Sequence, residues 1–201
     1  GFRKMGKDYV VMPEFESYKK VRPNDPLFLI KNNLIEDVDK NFAKQATNKI
    51  YWSSHKLEVN NKKYNIKLTF TIAKDNLRSR LGGTKNAGST PLGKLYAEHF
   101  GISLVRANRE LKLGNFKFID ATNAPEHRWW SIEVAFEPDL DEIFGVTFDK
   151  QQANHFKKID AVEYRDAIEE DDESLIIMHE LSKTISLNIT EMFKELKTRA
   201  N

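Results

Sequence analysis

The chain contains no cysteine. That absence excludes disulfides, iron–sulfur clusters, thiolate catalysis and every cysteine-bearing zinc site, since each needs sulfur. No apolar run approaches the ~20 residues that cross a bilayer, so no membrane partner is expected. The opening residues Gly1-Phe2-Arg3-Lys4-Met5-Gly6 lack the apolar stretch of a signal peptide. This agrees with a cytoplasmic chain, and a start without Met points to a processed or excised polypeptide. An excess of one charge is missing too: 32 basic against 30 acidic residues leave a net charge of +2. That balance argues against a dedicated electrostatic nucleic-acid binder, while a local basic stripe stays compatible with it. His55, His99, His127, His155 and His179 have no spacing that shares a helix face or a metal, so no metal site is expected. Nor does a Ser, His and Asp set stand in the context of a nucleophile elbow. What remains is an ordinary soluble composition, 40 % hydrophobic and 31 % charged over 201 residues. It suits one large domain or a domain with an appendage.

Periodicity divides the chain into three parts. Residues 1–48 carry Pro13, Pro23 and Pro26 without a sustained period and read as an extended lead-in, with at most a short helix over 37–47. Residues 49–160 read as a mixed α/β domain. Within it Tyr64, Ile66, Leu68, Phe70 and Ile72 alternate with polar residues, the pattern of a half-buried strand. Leu57 and Val59, followed by Asn60-Asn61, supply a partner strand and a turn, so 57–73 is predicted as a hairpin. Residues 91–100 read as a short helix, with Pro91 in its first turn and Gly101 at its end. A strand over 102–107, a turn at Asn108-Arg109 and a return over 110–113 follow. Trp130, Ile132, Val134 and Phe136 mark a strand over 129–137 whose apolar face should meet that of 64–72. Asp139 is predicted as N-cap of a helical turn ended by Gly145, and a second short helix is expected after Asp149, through 153–156. The third part, 161–201, is an acidic linker over 163–173 and a long amphipathic helix over 174–197. In that helix Leu175, Met178, Leu181, Ile185, Ile189, Met192 and Leu196 recur at spacings of three and four, a stripe that needs a partner. The fold class is α+β.

Few segments offer chemistry. Gly88-Ser89-Thr90-Pro91-Leu92-Gly93-Lys94 has the glycine spacing of a phosphate-cradling Walker A loop, but Leu95 stands where a magnesium-binding hydroxyl belongs and polar residues precede it. It reads as a loop capped by a short helix. Lys74, Arg78, Arg80, Lys85 and Lys94 form a basic stretch that suits phosphates of a nucleotide or of DNA, and equally an ordinary surface loop. Trp129 and Trp130 point to opposite faces, so core packing is expected for at least one. The carboxylates at 139–142 and 163–173 read as solvated faces.

Three segments in order carry a resemblance: Gly101-Ile102-Ser103-Leu104-Val105-Arg106-Ala107-Asn108-Arg109-Glu110-Leu111, then Arg128-Trp129-Trp130-Ser131-Ile132-Glu133-Val134-Ala135-Phe136, then Phe144-Gly145-Val146-Thr147-Phe148-Asp149-Lys150-Gln151. With Arg22-Pro23-Asn24-Asp25-Pro26-Leu27 and the 88–94 segment, they span residues 21–156. The chain resembles the second, transducer domain of GHKL-type ATPases, the superfamily of gyrase B, MutL, the large heat-shock chaperones and MORC proteins, and bacterial MORC-like ATP-binding proteins most closely. The resemblance implies a sheet like that of ribosomal protein S-five domain two, with helices on one face. It also implies that Lys150, with Gln151 beside it, contacts the γ-phosphate of ATP in a neighbouring N-terminal ATP-binding domain, in a protein that binds magnesium and forms a homodimer. The Asn, Asp and glycine motifs of an ATP pocket are missing here, so the nucleotide-binding half is expected upstream of Gly1 and this chain alone is not expected to hydrolyse ATP. Against this stand a non-enzymatic nucleic-acid-binding module using the basic stretch, a dimerisation piece organised by the long helix, and, for Lys150, a plain surface lysine.

Overall fold

A computed structural model describes residues 2–5, 8–11, 27–29, 47–78, 87–119, 128–149 and 152–198. Strands of alternating or wholly apolar pattern assemble one five-stranded sheet: β3 (Asn48–Ser54), β6 (Ile66–Ala73), β7 (Gly101–Arg106), β8 (Arg109–Gly114) and β9 (Trp130–Phe136), in the order β3-β6-β9-β7-β8. All neighbours are antiparallel except β7 and β9, which run parallel. The β6–β9 register sets Ile66 beside Phe136, Leu68 beside Val134, Phe70 beside Ile132 and Ile72 beside Trp130. Paired residues share a face, so the two apolar stripes merge into one, as the sequence implies. The architecture is mixed α+β, a sheet with helices and a long C-terminal helix.

Two local expectations need correction. The hairpin is shorter than 57–73: β4 (Leu57–Val59) and β5 (Lys62–Tyr64) form a separate two-stranded ribbon, and β6 pairs with β3 and β9 instead. Its turn lies at Asn60-Asn61, both left-handed at φ 49° and 62°, which the tight hairpin turn requires. β6 is buried on both faces rather than half-buried, because Thr69, Thr71 and Ala73 are covered as fully as Phe70 and Ile72. The β7–β8 turn falls at Ala107-Asn108 (φ 45° and 64°), one residue before the predicted pair, since the twist of the strands demands two consecutive left-handed residues there.

The apolar face of the sheet is closed by α5 (Glu173–Thr198), of 26 residues. Ile177, Met178, Leu181, Ile185, Ile189, Met192 and Leu196 are all buried, Phe193 meets Trp130 at 5.9 Å, and Lys49 of β3 pairs with Glu195 at 2.9 Å. The stripe therefore finds a partner in the chain's own sheet. Each such side chain contributes ~1.5–3 kcal/mol on burial, so α5 is part of the core. The acidic linker is also corrected: Ala161–Glu169 is a helix, α4, held by a capping box in which Asp160 accepts from Val162 N and Glu163 N while Glu163 reaches back to Asp160 N. Tyr164 of α4 stacks on His179 of α5 at 3.6 Å.

The opposite face is polar at its centre. Asn48 Nδ2 donates to Thr71 Oγ1 at 2.9 Å, and the Tyr96 hydroxyl donates to Asn48 Oδ1 and lies 3.0 Å from Thr47 Oγ1. Tyr96 belongs to α2 (Pro91–His99), capped by Thr90 with Pro91 in its first turn as the sequence predicts. Leu27 and Phe28 close this region: Thr47 N and Asn48 N donate to Phe28 O, and the Phe28 ring stacks on Tyr96 at 4.1 Å. The lead-in also holds a hairpin, β1 (Phe2–Met5) with β2 (Asp8–Val11). The helix predicted over 37–47 lies almost wholly outside the described residues.

Candidate functional site: a braced loop after the third helix

α3 (Asp141–Phe144) follows a 3-10 turn over Pro138–Leu140. Pro138 starts the helical turn early, so Asp139 lies inside it rather than at the N-cap, still where a carboxylate suits the positive helix end. Gly145 ends α3 in the left-handed region at φ 62°, and its N–H donates to Glu142 O at 3.0 Å, as its sequence position implies. A side chain there would not fit, because a Cβ would stand 2.7 Å from the His155 ring.

Among the described residues, the segment from Asp149 to Phe156 is not the helix the sequence suggests. Residues 152–156 instead form a single β-bridge followed by a turn: Val146 bridges Ala153, Thr147 N donates to Gln152 O, Asn154 N to Gly145 O and His155 N to Phe144 O, at 3.0 to 3.1 Å. These bonds satisfy both feet of the loop at once, which a helix over 149–156 would forfeit. Side chains lock the same feet. Phe144 stacks face to face on Phe136 of β9 at 3.8 Å, and Phe156 packs on Phe116 at 4.8 Å. Arg106, at the end of β7, donates Nε and Nη2 to the two Asp141 oxygens at 2.5 and 2.8 Å. The hydrogen-bonded Asp141 carboxylate holds that guanidinium above its ordinary pKa. Beyond these feet Phe148 is fully solvent-exposed, at 101 %, and Thr147 Oγ1 donates to Asp149 Oδ1.

Lys150 and Gln151 belong to this loop by sequence but lie outside the described residues, as do Arg80 and Lys85 of the basic stretch. Lys74, at the end of β6, is half-buried, and Lys94 is exposed on α2. Arg78, at the end of α1 (Asp75–Arg78), is turned inward with 6 % of its side chain exposed. It donates to the carbonyls of Ala73 and Leu196, both at 3.2 Å, and to Asp75 at 2.7 Å. Its guanidinium clamps the end of α5 rather than facing a phosphate. The 88–94 segment is likewise structural. Gly88 O accepts from Arg128 Nη1 at 3.1 Å, the Thr90 hydroxyl caps α2, and Gly93 is needed because a Cβ would stand 2.3 Å from Ala87 O.

Trp129 and Trp130 are both buried, the first beside Tyr96 at 5.1 Å and the second beside Phe100 at 6.1 Å, so neither of these two offers a face to a base. No group of His, Asp and Glu among the described residues could hold a metal ion. Arg78 and the 88–94 segment are engaged by the chain's own carbonyls, hydroxyl cap and side chains. No described helix is long and apolar enough to cross a membrane.

Sequence reasoning missed Phe148, the Arg106–Asp141 pair and the His155 wedge. A lone aromatic in Thr147-Phe148-Asp149 was a visible signal for the first. Nothing local joins Arg106 to a carboxylate 35 positions away. In comparisons with known proteins, the chain matches no protein-family model, no curated protein and no solved structure.

Proposed function

We propose that this chain is the transducer domain of a GHKL-type ATPase and that the loop between Gly145 and His155 is its nucleotide-sensing arm. One observation carries the reading: the loop is fixed at both feet while its outer part presents Phe148 wholly to solvent. That is the build of an arm meant for another body, because a loop made only to connect has no need of stacked rings, a bidentate ion pair and an exposed Phe. A cation carried on a loop whose two feet are fixed loses less conformational freedom on meeting an opposite charge than one on an unbraced loop. In this reading Lys150, with Gln151 beside it, meets the terminal phosphate of ATP held with magnesium by a separate nucleotide-binding domain. The arm's orientation then follows the charge of that phosphate, and Arg106, Asp141 and Phe144 pass it on to the sheet. The ordered motifs from Gly101 to Gln151 support the same reading.

The test uses the native polypeptide. Lys150→Ala should lower ATP turnover by about 100-fold, the scale for losing one preorganised donor to a developing charge, with the unfolding midpoint unchanged. Phe148→Ser should lower turnover less and leave the fold intact. Unchanged turnover in Lys150→Ala, or a native polypeptide without ATP hydrolysis, overturns the proposal. A nucleic-acid module built on Lys74, Arg78, Arg80, Lys85 and Lys94 gains no support, since Arg78 is engaged inside the chain. A dimer organised by the α5 stripe gains none either, since that stripe is buried in its own core.

A further inference from the structure

The β4–β5 hairpin leans on the start of α5, and between them lies a cavity of about 300 Å³. Its floor is apolar: Val59 and Ile177 are buried and Ile176 half-buried. Its rim is ionic. Glu173 Oε1 accepts from Lys62 Nζ at 2.6 Å and from the Tyr64 hydroxyl at 3.1 Å. Asp171 lines the same rim, set there by a left-handed backbone (φ 55°) as the chain turns from α4 into α5. Anions are disfavoured despite the helix end, because Asp172 already caps it by accepting from Leu175 N at 3.0 Å and the acidic residues Asp171 and Glu173 line the cavity. Lys62 and Glu173 are each more than 60 % exposed, so their ion pair stands on the solvent side of the cavity. The hydrogen bond between them raises the pKa of Lys62 and, with that from Tyr64, lowers that of Glu173.

We propose that this cavity binds an alkyl-guanidinium or alkylammonium group, the chemistry of an arginine or lysine side chain and of free polyamine-like cations. The methylene stem lies on Val59, Ile176 and Ile177, and the cationic head meets Glu173 and Asp171. Lys62 is the resident competitor for Glu173. A planar guanidinium displaces it because it can engage a carboxylate through two parallel hydrogen bonds where an ammonium is a point charge. The volume lies at the lower limit of small-ligand sites and suits one side chain. This site stands apart from the sensing arm and does not depend on the ATPase reading.

The test is a titration of the full chain, followed by ¹H–¹⁵N spectra, with agmatine and separately with the capped tripeptide acetyl-Gly-Arg-Gly-amide. Saturable shifts confined to residues 59–64 and 171–177 are expected. They should be lost in Glu173→Gln and weakened in Asp171→Asn. Lys62→Gln should bind about two- to fivefold tighter, the fold-change equivalent of losing one exposed ion pair. Agmatine binding as tightly as the tripeptide marks a free-cation site, and tighter tripeptide binding marks a peptide side-chain site. No saturable shift with either probe, in the parent chain and in Lys62→Gln alike, overturns the proposal. So does undiminished affinity in Glu173→Gln and Asp171→Asn with native-like spectra.

Discussion

At the scale of single residues, the braced loop depends on Gly145 more than on any residue it presents. Gly145→Ala forces a side chain into the left-handed region and against the His155 ring, so a loss of about 1–3 kcal/mol is expected in urea denaturation. A midpoint equal to the parent's would show that the ring moves aside at no cost. Arg78 makes the complementary case. Arg78→Met leaves the carbonyls of Ala73 and Leu196 without their donor in a buried setting, and a loss of about 1–3 kcal/mol should follow. If the variant denatures with the parent, the clamp is not a source of stability. Gly145 was legible as a stop signal because its role is local. The place of Arg78 was not legible, because a cation in a polar, glycine-bearing stretch looks solvated until the fold brings the end of α5 within reach.

At the scale of elements, α4 shows how a short helix on the surface is held. Backbone N–H groups of Glu163 and Val162 hold Asp160 below its usual 3.8, and the Lys157 ammonium holds Glu163 below its usual 4.5. A carboxyl lowered in the folded state contributes stability that is complete above its unfolded pKa and is lost as pH falls through the folded one. As pH falls below the ordinary carboxyl range, protection of the 161–169 amides, taken relative to the intrinsic exchange rate at each pH, should therefore drop while the amides of β6 and β9 stay protected. Asp160→Asn keeps the capping oxygen without its titration and should flatten that pH dependence. Protection of these amides that does not change with pH in the parent chain would remove the capping box from the account of α4. The Asp160 and Glu163 spacing stood in the sequence as a helix start. It was hidden by the acids that follow and by a thin apolar side, of which only Ala167 is fully buried.

For the whole molecule, the decisive contact is between the N-terminal half of the sheet and the last helix. Lys49 meets Glu195 across 146 positions, and Trp130 meets Phe193. A chain ending at Asp172 would expose the face formed by Ile66, Leu68, Phe70, Ile72 and their β9 partners, and should show no cooperative unfolding by circular dichroism. The point variant Leu181→Ala, at a fully buried position, should cost about 2–5 kcal/mol in the full chain. A cooperative transition in the truncated chain would make α5 an accessory rather than part of the core.

The sequence by itself determined what depends on near neighbours. Period-two alternation set the faces of β6 and β9, paired asparagines set the turn at 60–61, Gly145 set the end of α3, and spacings of three and four set the buried side of α5. Each follows from backbone geometry within a few residues. Only the tertiary structure decided that β9 lies between β6 and β7, that α5 closes on its own sheet, and that Arg106 finds Asp141 and Lys62 finds Glu173. Those outcomes rest on contacts made across tens to more than a hundred positions. Burial and polar satisfaction over the whole core select them, and no local pattern carries that information.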